Sequence, residues 1–241
     1  MKLTKQLPVA LGLACALMLS SCSKEDIATP QPQAESINMH SNEKVESLSP
    51  SILPTQTEYL GEAILPNGWQ RNNTGFSTNP EAYPVGVSNR YRLWGDPAKL
   101  FVQGMPLIPW ASNLDAFITV TTSSILSKTN KSSVKTKITG LWPGKKYALT
   151  VYVGSSLPKA APGIPYATFA KSCLLTLGYQ NTSLETVVDL TSYKACWVQK
   201  VIAFTALGPQ MDLAFSASPA QAGQYAYAHL LVSSGAVKQV N

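Results

Sequence analysis

From Asp115 to the C-terminus the chain is a succession of short apolar–polar alternations separated by turn residues. Nowhere does it sustain apolar residues at the i, i+3, i+4, i+7 spacing of an amphipathic helix. That pattern restricts the fold to sheets. Asp115–Thr122 and Val134–Thr139 are short and β-branched, and Lys146–Val153 places Tyr147, Leu149, Val151 and Val153 on one face. Cys173–Leu177 and Leu184–Leu190 read as a pair joined through Gln180-Asn181-Thr182. Trp197–Ala206 is apolar on both faces apart from Lys200, which suits a central strand. Met211, Leu213 and Phe215 alternate with polar residues, Ala226, Ala228, Leu230 and Val232 share a face, and Val237–Val240 can finish a sheet. Pro143-Gly144, Gly208-Pro209 and Gly223 punctuate the series. Many short strands with regular turns predict a β-sandwich over residues 55–241.

Two linked segments narrow the type of sandwich. The first, Ser133–Val153, holds Leu141-Trp142-Pro143-Gly144-Lys145-Lys146-Tyr147. Proline fixes φ and glycine accepts positive φ in a type II turn there, and the tyrosine can pack a corner while its hydroxyl satisfies backbone. The second runs from Trp197 to Phe204-Thr205-Ala206 and on through Met211–Phe215. In this order and spacing they resemble the galactose-binding-like jelly rolls of several carbohydrate-binding module families. Leu65-Pro66-Asn67-Gly68-Trp69 loosely resembles the Gly-Trp after their first strand. The Leu–Pro-Gly–Tyr element also occurs in fibronectin type III domains, but those are about half as long, and the tryptophan strand does not suit them. The resemblance implies an all-β jelly-roll sandwich that binds carbohydrate. It also implies a structural calcium held by an acid of the first strand, for which Glu62 is available, and an aspartate of the last. That last strand offers Ala228 or His229 instead, so no cofactor is expected.

The N-terminus belongs to a different class of signal. Lys2 and Lys5 precede an apolar run from Leu7 to Leu19, of signal-peptide size and too short to span a bilayer. It ends in Leu19-Ser20-Ser21-Cys22, which resembles the lipobox of bacterial lipoproteins, where the cysteine is acylated and becomes the new N-terminus. Lys24, Glu25 and Asp26 follow, as in the surface-export signal of Bacteroidota lipoproteins. The expected organisation is a signal peptide at 1–21, a lipid-anchored flexible linker at 22–54 and the sandwich at 55–241. The linker is Pro-interrupted and poor in large apolar residues. The expected location is the outer membrane, facing the exterior. In an exported chain the remaining cysteines, Cys173 and Cys196, are a disulfide candidate, with two buried thiols as the alternative.

Catalytic signals are thin. The chain has two histidines, His40 in the linker and His229 in mid-strand, the latter read as a structural residue. There is no HExxH or CxxC spacing, no Gly-rich phosphate loop and no nucleophile elbow, so no enzyme is expected. From Thr55 onward fifteen Lys and Arg stand against eight Asp and Glu, a balance that can attract acidic glycans. No interleaved basic-aromatic motif points to nucleic acid. Binding residues are sought in the irregular stretch Leu65–Pro109 and just beyond, because long loops inside a domain carry function. Trp69, Tyr83, Tyr91, Trp94 and Trp110 could stack on sugar rings, with Arg71, Asn72, Asn89 and Arg90 hydrogen-bonding hydroxyls. Trp197 and Tyr147 are assigned to the core. The reading is a surface glycan binder; the alternatives are an adhesive module binding surface proteins or matrix, and an accessory subunit of a glycan-degrading system.

Overall fold

Each long alternating run becomes a strand. The computed structural model describes residues 49–74, 76–77, 79–108, 115–122, 130–160, 166–219 and 224–240. Cys22, Lys24, Glu25, Asp26 and Trp110 lie outside these described residues. The strands are β1 (Ser51–Ile52), β2 (Gly61–Glu62), β3 (Gln70–Arg71), β4 (Val85–Asn89), β5 (Ala116–Thr122), β6 (Ser133–Thr139) and β7 (Lys146–Ser156). They continue with β8 (Ala167–Tyr179), β9 (Thr182–Asp189), β10 (Trp197–Thr205), β11 (Met211–Pro219), β12 (Tyr225–Leu231) and β13 (Val237–Val240). Among the described residues the only helical piece is a 3-10 turn, Leu93–Gly95.

The strands form two layers. In the first, β1 and β3 share the outer edge of β6, followed by β11, β8 and β9. In the second the order is β2, β4, β5, β12, β7 and β10, with β13 alongside the first half of β7. Strand β8 belongs to both: Ala167–Phe169 run parallel to β12, and the remainder crosses into the first layer beside β11. The architecture is an all-β sandwich of jelly-roll type, as the sequence implied.

Alternation decides what fills it. Val134 and Ile138 of β6, Leu213 and Phe215 of β11, and Leu175 and Leu177 of β8 point inward from one layer. Ile118 and Val120 of β5, Leu149, Val151 and Val153 of β7, and Ala226, Ala228 and Leu230 of β12 meet them from the other. Each fully buried aliphatic or aromatic side chain contributes roughly 1.5–3 kcal/mol. The Pro143-Gly144 turn forms as read: Gly144 takes φ 80° and Lys145 N–H donates to the Trp142 carbonyl at 3.1 Å. Tyr147 is buried at the corner, and its hydroxyl accepts from Trp142 N–H at 2.9 Å.

Five expectations are corrected. Strand β10 is an edge strand, because β7 is its single partner among the described residues, and Val201 and Ala203 face out exposed. Strand β7 continues beyond Val153 to Ser156, and Val85–Asn89, inside the stretch read as irregular, is a strand. Residues Ser51 and Ile52, placed with the linker, pair with Thr139 and Ile138, and Ile52 enters the core. Cys173 and Cys196 are not joined. Cys173 faces the interior from β8, where burial pushes its thiol up to about 12, whereas Cys196 precedes β10 in the other layer.

Candidate functional site

The outer face of the second layer is not open. A folded-back strap, residues 90–108, lies across it. Leu93, Trp94, Phe101, Met105 and Ile108 of the strap pack on Phe117, Trp197, Tyr227 and Leu231 of the sheet. The strap holds itself by Met105 N–H to the Arg90 carbonyl (2.8 Å), Phe101 N–H to Tyr91 (2.9 Å) and Leu93 N–H to Lys99 (2.9 Å). Trp197 Nε1 fastens it to the sheet through the Pro106 carbonyl at 3.0 Å. Gly154 permits the close approach, since a Cβ there would stand 2.6 Å from Met105 Cε and 2.7 Å from the Cys196 carbonyl.

Beneath the strap a polar chain is sealed in. Ser156 Oγ lies 2.6 Å from His229 Nε2, and His229 Nδ1 lies 3.0 Å from Thr119 Oγ1. Thr119 donates to Ser88 Oγ at 2.8 Å, and Ser88 Oγ accepts from Trp94 N–H at 3.0 Å. Because the Thr119 proton goes to Ser88, Thr119 accepts from Nδ1–H and Nε2 accepts from Ser156. His229 is therefore neutral and doubly bonded, and burial brings its pKa down to about 3. Phe117 and Phe101 flank the ring at centroid distances of 4.6 and 5.6 Å. The ring is fully buried. Reading His229 as a satisfied structural residue agrees with this geometry.

The loop residues proposed as a sugar groove do not converge. Trp69 is in the core, donating from Nε1 to the Leu53 carbonyl at 3.0 Å. Asn72 is buried against Ser133. Asn89 Oδ1 accepts from Tyr91 and Arg92 N–H, and Arg90 Nε donates to the Met105 carbonyl, so both hold the strap. Trp94 is buried edge-on to Tyr227 at 6.5 Å. Tyr83 is half-buried, and Tyr91 is exposed with the Arg90 guanidinium over its ring at 4.7 Å. The cause is general: a strap that covers a sheet needs an apolar underside of its own, and tryptophan supplies the most area.

A different set does converge, at the end of the sandwich where β5 finishes and β12 begins. Glu62, Glu81, Trp94, Lys99, Thr121, Tyr225 and Tyr227 line a pocket of about 190 Å³. Glu62, Glu81 and Pro84 also border a neighbouring cleft of about 380 Å³, which Arg71 lines as well. Lys99 Nζ lies 3.7 Å from both Glu62 Oε2 and Asp96 Oδ2. Tyr227 is held protonated: burial first, then Tyr225 and Glu62, push its hydroxyl to about 12. Glu81 is carried by a turn in which Asn79 Oδ1 accepts from the N–H groups of Glu81 and Ala82. Arg71 Nη2 steadies that turn through the carbonyls of Ser77 (2.9 Å) and Asn79 (3.3 Å). Arg71 thus positions the turn. A larger cleft of about 530 Å³ lies beside β1 and β6. Most of its polar side chains are paired within the protein: Lys137 with Asp212, Thr136 with the Gly68 carbonyl, and Ser51 with Thr139; Gln70 and Lys135 also line it.

The calcium that the fold resemblance implies does not suit these residues. Glu62 faces the Lys99 ammonium, and both nitrogens of His229 are engaged. Among the described residues no three of His, Cys, Asp or Glu converge.

No protein-family model matches the chain, and no curated protein matches it. Several solved carbohydrate-binding modules are similar in structure. A family 61 module in complex with β-1,4-galactotriose is 10% identical with a TM-score of 0.41, over 72% of this chain and 90% of that one. A family 4 module is 15% identical at 0.36, over 67% and 96%. A family 35 module from an environmental isolate is 9% identical at 0.33, over 78% and 98%. At such scores the likeness adds nothing to the case for a ligand, which rests on the residues above.

Proposed function

We propose that this chain is a cell-surface lipoprotein whose sandwich binds glycan without catalysis. The observation that carries the reading is the pocket at the end of β5 and β12. It gathers carboxylates (Glu62, Glu81), an ammonium (Lys99) and phenols (Tyr225, Tyr227) around a small concavity. Sugar hydroxyls both donate and accept, and a site offering both roles beside aromatic walls suits them. Protein or matrix partners would need a broad face rather than a pocket of this size. Support for a binder over an enzyme comes from His229, sealed under the strap beyond reach of any ligand.

The test is glycan-array and affinity-gel binding of the purified full-length chain alongside Glu81→Ala. Glu81 is exposed, so its loss leaves the fold intact. Wild-type retention with weakened retention of the variant is expected; equal retention would place the ligand elsewhere. Release of reducing ends from the bound glycan would turn the Glu62 and Glu81 pair into an acid pair and the protein into an enzyme.

The anchor is proposed at Cys22, with Lys24, Glu25 and Asp26 directing the lipidated chain to the outer face of the outer membrane. Two or more acyl chains hold stably where one holds marginally. Cys22→Ala is expected to move the protein from the membrane to the soluble fraction. Unchanged sedimentation with membranes would remove the lipid from the account.

A further inference from the structure

Two features of the pocket narrow its ligand. The first is Thr121. Its side chain is 1% exposed and stands on the pocket side of β5, opposite Tyr227 in register. Its backbone N–H donates to Ser132 Oγ, but its own hydroxyl has no hydrogen-bond partner among the described residues. A buried hydroxyl without a partner costs stability that an isosteric valine avoids, so its presence beside a cavity points to a partner that arrives with the ligand. The second feature is charge. The domain carries a clear basic surplus, yet the groove formed by the two clefts offers Glu62 and Glu81 against Lys99 and Arg71. Lys99 is shared with Asp96 as well, so none of the surplus reaches the groove.

We infer that the groove takes a neutral, hydroxyl-rich glycan, and that Thr121 is a specificity-determining residue exchanging a hydrogen bond with a ligand hydroxyl. The inference rests on the glycan reading above and adds the class of sugar to it. A hydroxyl suits Thr121 because each can donate or accept. A uronate would bring a carboxylate against Glu81 with Lys99 already engaged by two acids, whereas a neutral sugar meets no such repulsion. The basic surplus then serves no role in holding the ligand. The Tyr227 phenol, protonated throughout the physiological range, is placed to donate beside Thr121.

The experiment titrates purified full-length wild type, Thr121→Val, Thr121→Ser and Glu81→Ala with neutral gluco-, galacto-, xylo- and manno-oligosaccharides and with oligogalacturonate. Thermal melting is recorded on each protein. Wild type is expected to bind a neutral series with little salt dependence. Thr121→Val should lose about tenfold or more in affinity while melting at the same or a higher temperature, and Thr121→Ser should retain binding. Preference for oligogalacturonate, or a Thr121→Val protein that binds like wild type while Glu81→Ala does not, overturns the inference and leaves the glycan reading standing. Failure of the wild type to bind any sugar removes both.

Discussion

Acidification below pH 6.5 lowers the folding equilibrium constant by about tenfold for each pH unit, down to a pH near 3, through His229 alone. The sign follows from where the proton is bound. In the unfolded chain His229 titrates near 6.5; in the folded domain its pKa is about 3. Between those values the unfolded state holds the proton and the folded state does not. The stability is complete above 6.5 and drains as the pH falls. Among the described residues nothing charged faces the ring to offset this: its neighbours are Thr119, Ser156, Phe101, Phe117 and Trp197. Urea unfolding at pH 7.5, 5.5 and 4.5 checks it, the interval from 7.5 to 5.5 lying above the range where most carboxylates titrate. At pH 4.5 the loss should be about a hundredfold. His229→Gln, less stable at neutral pH, should show a flatter profile. A wild-type profile as flat as the variant's would mean that the strap admits solvent to the ring.

Gly86→Ala is expected to abolish the proposed glycan binding and to destabilise the domain by about 1–3 kcal/mol or more. Gly86 is paired with Glu62 across β4 and β2. A methyl on it would overlap the Gly61 carbonyl oxygen and press on Glu62 Cα at 3.0 Å and Ala63 N at 3.1 Å, all backbone. Backbone cannot swing aside as a side chain can, so β2 must leave β4 and take Glu62 out of the pocket. Ala63, at φ 63°, already holds the tight turn after β2 in the left-handed region. Binding and thermal unfolding of the variant, beside Glu81→Ala as a pocket change without backbone displacement, read the two effects separately. A variant that melts and binds like wild type would show that β2 does not build the pocket.

The core was legible because alternation is a local property: Leu213 and Phe215, or Ala226, Ala228 and Leu230, declare their common face by spacing alone. So was the corner at Tyr147, where proline, glycine and tyrosine each have one sensible use. Edge or centre was not legible for β10, since that depends on which strand lies beyond it. Strand β4 was hidden because Gly86 and Ser88 interrupt its apolar residues, and both are small for reasons of contact, with β2 and with Thr119. The loop aromatics misled for a physical reason. Segments that are irregular in sequence were read as solvent-facing, whereas the strap is a lid that brings its own core in Trp94, Phe101 and Met105. The pocket itself could not be read from spacing. Its members come from β2, the turn at Glu81, the strap, β5 and β12, and Trp94 is shared with the set first sought.

Strand β6 runs from the pocket end of the sandwich, where Ser132 meets Thr121 and Pro84, to the end where β1 joins it at Ile138 and Thr139. About seven residues of strand separate the two, on the order of 20 Å. The polypeptide leading in from the proposed lipid thus enters at one pole and the pocket opens at the other. A tie at Cys22 would therefore reach the domain at the pole away from the pocket, leaving the pocket clear of the point of attachment.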